Sequence, residues 1–384
     1  MASTRRGIVA TALAGLGSAG ALRRAAAQTG TDPILLGVSG PLTGPNAQYG
    51  AQWKDGFELA LDEVGRKVGT RPLQYDFEDS QSDPRQSVAI AQKFAADPRI
   101  VLELGDFSSP ASMAASPIYQ RAGLVQFGFT NSHPDFTKGG DCMWSTSISQ
   151  SDEQPMLANY AIKDLGLKRL AVLHLNTDWG RTSKDIFVKV AAAQGATIVA
   201  VEGYLPDEKD FRPTLVRVRD GNPDGLILIS YYADAALIAR QVRDQGLKQP
   251  MVAVSSVYSP KLIELGGDAV NGLYTHSPFS AADPRPEVQN FVTHFKARYG
   301  KEPDSFNAYS YDAMIMAHAI ISQFGADRAS IKQGFAKIKD VPSVIFGQAT
   351  FDTVTRRVAN PRYTHLVVLD GKFVPWDGKS PAKS

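Results

Sequence analysis

The stretch GPLTGPNAQYG, residues 40–50, is the first segment whose composition could bind a charged group. It follows an apolar run and precedes a helical pattern, which is where glycine-rich phosphate-binding loops lie. The segment has no Gly-Lys-Ser or Gly-Lys-Thr ending, and Pro41 and Pro45 lack the backbone N–H groups that such a loop uses. We therefore do not predict a phosphate site here.

The other familiar motifs of cofactor, metal and catalytic sites are missing or misplaced. GLGSAG, residues 15–20, matches the dinucleotide-binding fingerprint but follows no predicted strand. The six histidines are scattered without metal-ligand spacing, and the sequence has no GxSxG segment or recognisable nucleophile–base pair. We predict no cofactor, no metal site and no enzymatic activity.

Polar and aromatic residues instead recur directly after apolar runs. The segments are DFSSPAS (106–112), FTNSHP (129–134), NTDWG (176–180), YYAD (231–234) and SSVYSP (255–260). Open α/β sheets bind ligands at the carboxyl ends of their strands, so these segments are candidates for one site. Ser108 or Ser109 either caps the helix that Pro110 begins, or joins that helix N-terminus in binding a ligand carboxylate.

The elements that position these segments alternate between strand and helix. Apolar runs at 34–38, 73–78, 100–104, 124–128, 169–175, 197–204, 225–230 and 251–254 are each followed by a helical pattern. This alternation predicts an α/β protein, and the number of strands favours two doubly wound parallel sheets over one. Polar breaks near 145–152 and 276–286 give two lobe boundaries, and with a third crossover after residue 350 we predict lobe 1 as 28–148 and 279–350 and lobe 2 as 149–278 and 351–384. Two long helices at 286–299 and 306–324 and a strand–turn–strand at 364–374 are predicted after the second break.

Composition and charge indicate an exported, globular protein. The chain has 384 residues, of which 43% are hydrophobic and 21% charged. Residues 1–27 carry four arginines and no acid, and the remainder has 37 basic and 39 acidic residues, which gives no reason to expect nucleic acid as a partner. Arg5-Arg6, the uncharged stretch 7–22 and the alanines at 25–27 predict a signal peptide cleaved near Ala27. The paired arginines favour the twin-arginine route, with general secretion as the alternative, and both lead to the periplasm.

The chain resembles the periplasmic solute-binding proteins of branched-chain amino-acid importers. The resemblance runs from GPLTGPNAQYG through EKDF (208–211), YYADAALIARQVRDQGLK (231–248) and GGDAVNGLY (266–274) to DGKFV (370–374). It implies two doubly wound lobes, joined by three crossovers, that close by a hinge over a small ligand. The partner that it implies is an inner-membrane ABC permease, and we expect a monomer. A ligand sensor for a signalling receptor is the alternative.

The resemblance also implies a set of ligand-binding residues. They are Tyr49, Ser109, Thr130, Ser132, Trp179, Tyr231 and Ser255. Ser109 takes the position of a serine that binds the ligand carboxylate, whereas Ser255 stands where amino-acid binders have an acid that pairs with the α-ammonium group. Neighbouring residues that we expect to line the pocket are Trp53, Phe107, Ser108, Phe129, Asn131 and Tyr232.

The serine at position 255 determines the predicted ligand. A buried ammonium without an anionic partner is unfavourable by about 3 kcal/mol or more, and serine supplies no charge. The sequence therefore predicts a carboxylate without an α-amino group, and the aromatic residues favour an aromatic acid of the benzoate or hydroxycinnamate type. A branched-chain amino acid, a keto acid and an amide remain open as alternatives.

Overall fold

The computed structural model describes residues 32–359 and 361–379. The predicted signal peptide, residues 1–27, lies outside the described residues. Within them the chain forms two α/β lobes, each built on one large sheet, with a cleft between them.

The first sheet contains six strands from the first part of the chain. They are β1 (Ile34–Gly40), β2 (Lys67–Val68), β3 (Arg71–Asp79), β4 (Ile100–Gly105), β5 (Gln126–Phe127) and β6 (Met143–Trp144). Their order is β2-β3-β1-β4-β5-β6, with all neighbours parallel except β2 and β3. The helices of this part are α1 (Ala47–Glu63), α2 (Pro84–Ala96) and α3 (Ser109–Ala122). Strand β4 is buried along its whole length, as expected for a parallel strand covered by helices on both faces.

The middle of the chain forms the second lobe. Its strands are β7 (Arg169–Leu175), β8 (Thr197–Tyr204), β9 (Gly225–Ile229), β10 (Met251–Ala253) and β11 (Leu273–Ser277). Its helices are α4 (Gln150–Asn159), α5 (Asp178–Ala193), α6 (Arg212–Asp220), α7 (Tyr232–Asp244) and α8 (Pro260–Gly266). A π-helical turn at Tyr160–Asp164 continues α4, and a short 3-10 turn at Ser255–Val257 follows β10.

The last part of the chain contributes to both lobes. Its elements are α9 (Pro286–Tyr299), α10 (Ser305–Phe324), α11 (Arg328–Lys337), β12 (Val341–Ser343), β13 (Gly347–Ala349), β14 (Phe351–Asp352), β15 (Arg357–Val358), β16 (Thr364–Leu369) and β17 (Lys372–Pro375). Helix α10 packs on α1 so closely that a side chain at Gly56 would collide with Ser310 and the backbone of Asn307. Strands β16 and β17 join the second sheet, whose order is β17-β16-β11-β10-β9-β7-β8.

Three crossings join the lobes in the described part of the chain. They lie between β6 and α4, between β11 and α9, and between β15 and β16. The hairpin of β14 and β15 packs on the first lobe, where the Phe351 ring lies 5.3 Å from that of Trp144. We therefore propose that the third boundary follows Val358 rather than residue 350, and the first two boundaries at 148 and 278 stay as proposed.

Arg357 holds the first crossing in place from inside the protein. Its guanidinium donates to the carbonyl oxygens of Asn131, His133 and Ser147 and to the Ser145 hydroxyl. Burial lowers the pKa of Arg357 to about 10, so the side chain keeps its charge at neutral pH. One buried cation thus ties the β5–β6 loop to the segment that enters the second lobe.

The predicted fold class, two doubly wound parallel-sheet lobes, is confirmed. Strands β7 and β8 and helix α9 have the predicted bounds, and α10 begins one residue earlier than predicted. Short strands such as β6 and β12 were not predicted, because two or three residues are too few to show an alternating pattern.

Candidate functional site: the interlobe cleft

A cleft between the lobes holds about 550 Å³ of space outside protein atoms, part of it open to solvent. This is within the range of sites for small organic ligands. Residues of both lobes and of the crossings line it: Phe107, Ser109, Thr130, Ser132, Ser147, Ile148, Glu153, Trp179, Tyr231, Ser255, Ser256, Pro278, Ser305, Phe306, Tyr309 and Tyr363.

On the first lobe, the N-terminus of α3 faces the cleft. The helix begins at Ser109, and Ser108 precedes it without forming a side-chain cap. The first N–H groups of a helix have no partner within the helix, and they carry its positive dipole end. This end of the cleft therefore favours a negatively charged group.

Two buried donors beside this helix end have no partner among the described residues. They are the Thr130 hydroxyl and the Nδ2 group of Asn131. The Ser109 hydroxyl donates to Oδ1 of Asn131 at 2.9 Å. A half-turn of the Asn131 amide would make Nδ2 the donor to Ser109 and leave the serine proton for a ligand. Asn131 thus supports Ser109, and the hydroxyls of Ser109 and Thr130 can donate to one carboxylate.

Aromatic rings from both lobes form the walls of the cleft. Tyr231 stacks on Trp179 with ring centroids 4.9 Å apart, and its ring centroid lies 5.0 Å from that of Phe107. Phe306, at the start of α10, lies 5.9 Å from Phe107. Rings in this arrangement offer an apolar slot to a planar group.

Direct hydrogen bonds connect the lobes across the cleft. Nε1 of Trp179 donates to the Ser132 hydroxyl at 3.0 Å. At the rim, the Tyr49 hydroxyl donates to the Ser256 carbonyl at 2.8 Å and the Tyr232 hydroxyl to the Pro45 carbonyl at 3.0 Å. The lobes are therefore in a closed arrangement, in which these contacts cover the cleft.

A buried carboxylate, that of Glu153 on α4, lies in the second-lobe side of the cleft. Its Oε1 accepts from the backbone N–H and the hydroxyl of Ser255, at 2.9 and 2.5 Å, and contacts Nε2 of His276 at 3.0 Å. Burial raises the pKa of Glu153, but the hydrogen bonds from His276 and Ser255 outweigh it and hold the pKa below its ordinary value. Glu153 is therefore an anion at neutral pH.

This carboxylate corrects one premise of the sequence analysis. Ser255 does lack a charge, but the cleft is not without an anion, because α4 brings Glu153 to within hydrogen-bond distance of Ser255. The two residues are 102 positions apart in the sequence, and only the packing of the first crossing against β10 brings them together. Position 255 alone therefore does not decide whether an ammonium group could bind.

The structure brings seven of the predicted residues together at the cleft. They are Phe107, Ser109, Thr130, Ser132, Trp179, Tyr231 and Ser255. Six others do not line it. Trp53 and Phe129 lie 4.4 Å apart in the first-lobe core, Asn131 supports Ser109 from behind, and Ser108 precedes α3. Tyr49 and Tyr232 serve at the rim between the lobes rather than on the cavity wall.

The lining residues that sequence reasoning missed come from the crossings and from the start of α10. They include Ser147, Glu153, Pro278, Phe306 and Tyr363. The sequence does mark these crossings, as polar breaks near 145–152 and 276–286, but we interpreted the breaks only as lobe boundaries. In a two-lobe protein the crossings form the floor of the cleft, so a boundary is also a candidate for ligand contact.

Residues 33–371 match the family model of the periplasmic binding proteins. The chain belongs to this family. It is 31% identical over 289 residues to a Leu/Ile/Val-binding protein homolog from Brucella abortus, a match that covers 73% of this chain and 76% of the relative. As a periplasmic binding protein it is the solute-binding partner of an ABC transporter, and the family is one of transport proteins rather than enzymes.

Solved structures with this fold differ in the ligand that they bind. A leucine-binding protein from Thermotoga maritima has a TM-score of 0.84 and 24% identity, and the match covers 89% of this chain and 97% of that one. A solute-binding protein from R. palustris in complex with 4-hydroxybenzoate has a TM-score of 0.82 and 22% identity, with 90% and 96% coverage. The fold is therefore compatible with amino acids and with aromatic acids.

Two further searches of the described residues gave negative results. In residues 32–359 and 361–379, no cluster of histidine, cysteine, aspartate and glutamate side chains could hold a metal ion. None of the helices in the same ranges is long and apolar enough to cross a bilayer.

Proposed function

We propose that this periplasmic binding protein captures a small carboxylate without an α-amino group, namely an aromatic acid of the benzoate or hydroxycinnamate type. The observation that carries the proposal is the unpartnered buried hydroxyl of Thr130, which lines the cleft with Ser109 beside the N-terminus of α3. An unpartnered buried donor is unfavourable by about 1–3 kcal/mol, and a ligand carboxylate would remove that penalty.

The cleft walls support an aromatic body for this acid. Phe107 from the first lobe and the stacked pair of Trp179 and Tyr231 from the second lobe face one cavity. A planar ring between them would contact both lobes and so stabilise the closed arrangement. The 4-hydroxybenzoate complex of the R. palustris relative shows that this fold can hold such an acid.

An amino acid is the second candidate, and Glu153 is the observation that favours it. The ammonium group of an amino acid is attached next to its carboxylate, so it would need an anion close to the Ser109 end of the cleft. Glu153 already accepts three hydrogen bonds on Oε1, which leaves Oε2 for an ammonium. The leucine-binding relative has the same fold and does not separate the two candidates.

Thermal unfolding with matched ligand pairs tests the proposal. The pairs are 3-phenylpropionate against phenylalanine and 4-methylpentanoate against leucine, which differ in the α-amino group alone; 4-hydroxybenzoate is the third acid. A ligand at 100 times its Kd stabilises the folded state by about 2.7 kcal/mol. We expect the deaminated acids and 4-hydroxybenzoate to raise the melting temperature and the amino acids to leave it unchanged. The opposite pattern would overturn the proposal in favour of the amino acid.

We further propose that residues 1–27 export the chain to the periplasm, by the twin-arginine route, and that the monomer delivers its ligand to an inner-membrane ABC permease. The paired arginines and the alanines at 25–27 support the export signal. Replacing Arg5 and Arg6 with lysine tests the route, because it should leave uncleaved precursor in the cytoplasm. Normal export of that variant would indicate general secretion instead.

A further inference from the structure

The Glu153 carboxylate has one oxygen without a partner. Oε1 contacts Ser255 and His276, whereas Oε2 accepts no hydrogen bond from any residue in the described part of the chain. The side chain is only 3% exposed and lines the cleft. Oε2 is not fully buried, so a donor carried by a ligand in the cleft could reach it, and a hydrogen bond to the charged oxygen would be stabilising.

His276 contacts only the Oε1 atom of this carboxylate. Its Nε2 faces Glu153, but its Nδ1 is buried without a partner, and the ring edge contacts Tyr363 at a centroid distance of 4.5 Å. No lysine or arginine of the described residues forms an ion pair with Glu153, and its carboxylate lies at the cleft as an anion.

A carboxylate ligand has to accommodate this charge. Its own carboxylate is repelled by Glu153 and attracted by the α3 N-terminus, so the two charges orient it with the acid group toward Ser109. The other end of the ligand then faces the second lobe. An apolar group there would leave Oε2 unpartnered, whereas a hydroxyl group could donate to it.

We propose that Glu153 selects aromatic acids that carry a ring hydroxyl, which donates to Oε2, over the same acids without that donor. The inference rests on the proposed function, because it assumes that the acid group binds at the Ser109 end. It adds a second polar contact at the opposite side of the ring. Glu153 acts as a specificity-determining residue through direct contact with the ligand.

Calorimetric titration of the full-length mature protein with 4-hydroxybenzoate, 4-methoxybenzoate and benzoate tests the inference. The methoxy compound keeps the ring oxygen and removes its proton. A hydrogen bond to a buried charged group corresponds to about tenfold or more in Kd, so we expect 4-hydroxybenzoate to bind at least that much more tightly than the other two. In E153Q the acceptor loses its charge, and the preference should fall to about threefold or less. D152N is the control, because it replaces the neighbouring exposed carboxylate with an amide in the same way. In this variant the preference for 4-hydroxybenzoate should persist.

The possible outcomes separate the inference from the proposed function. Equal affinities for the three benzoates in the natural protein would overturn the inference and leave the aromatic-acid proposal in place. Loss of the preference in D152N as well as in E153Q would also overturn it, since a general change in charge would then explain the effect. Binding of leucine but of no benzoate, with that binding abolished in E153Q, would overturn both and assign Glu153 to an ammonium. Unfolding curves of both variants verify that each is folded before titration.

Discussion

At the scale of single residues, the cleft has two polar ends with opposite preferences. Ser109 and Thr130 present donors at the α3 N-terminus, whereas Glu153 presents an acceptor from α4. A ligand with an acid at one end and a donor at the other satisfies both.

The Ser109 hydroxyl has a testable contribution. In S109A the ligand carboxylate loses one donor, and we expect Kd for 4-hydroxybenzoate to rise about 10–150-fold, as for a hydrogen bond to a charged group of about 1.5–3 kcal/mol. S108A is the matched control, since Ser108 forms no side-chain cap on α3 and does not line the cleft. Calorimetric titration measures both. An unchanged Kd in S109A would remove Ser109 from the site.

At the scale of elements, the start of α10 supports the cleft wall. Asp304 caps this helix by accepting hydrogen bonds from the backbone N–H groups of Phe306 and Asn307. The Nδ2 group of Asn307 in turn donates to the Gln52 carbonyl of α1. The cap therefore fixes both the helix end and its position on α1. Phe306 and Tyr309, which line the cleft, depend on it.

The buried cap makes stability depend on pH. Burial raises the pKa of Asp304 to about 7, against about 3.9 in an unfolded chain, so the folded state holds this proton at pH values where the unfolded state has lost it. The contribution of Asp304 to the free energy of unfolding is therefore complete below about pH 4 and falls as the pH rises to about 7, by up to about 1.4 kcal/mol per pH unit. D304N removes this dependence.

Urea unfolding at pH 5, 6, 7 and 8 measures the effect as the difference between the natural protein and D304N. As the pH rises, the free energy of unfolding of the natural protein should fall relative to that of D304N. D327N is the matched control: Asp327 caps α11, and its hydrogen bonds from Ser330 hold its pKa below the ordinary value, so its effect should be constant in this range. A D304N difference that does not vary with pH would show that Asp304 is ionised throughout.

At the scale of the whole molecule, closure depends on a few hydrogen bonds between the lobes. Tyr49, Trp179 and Tyr232 each donate from one lobe to the other. Tyr49 and Tyr232 donate to backbone carbonyls, so these two acceptors do not depend on the identity of nearby side chains. Together with the ligand, these bonds stabilise the closed arrangement against the open one.

Removing one of these bonds should shift the balance toward the open arrangement. In Y232F we expect a larger radius of gyration without ligand and a Kd for 4-hydroxybenzoate about 2–12-fold higher, as for one neutral hydrogen bond of about 0.5–1.5 kcal/mol. Y204F is the control, because the Tyr204 hydroxyl donates to Ser230 within the second lobe. Small-angle scattering and titration measure the two effects. Equal changes in both variants would argue against a role in closure.

Much of this architecture follows from local sequence patterns. Strands such as β7 and β8 and helix α9 are long enough to show their periodicity, and glycine and proline mark the turns between them. The position of the site was predictable for the same reason, since the strand ends of a doubly wound sheet lie at one edge. The strand ends predicted the segments that contain these residues, and the family resemblance predicted which residues within them contact the ligand: Ser109, Thr130, Ser132, Trp179, Tyr231 and Ser255.

The sequence by itself determined the two-lobe fold, the family and the loops that face the cleft, because these depend on the order of elements along the chain. Only the tertiary structure decided the charge inside the cleft. Glu153 belongs to a crossing and reaches Ser255 through packing between distant segments, while Trp53 and Phe129 turn into the core. The physical reason is that the direction of a side chain depends on the helices packed around it, and local patterns carry no information about that packing.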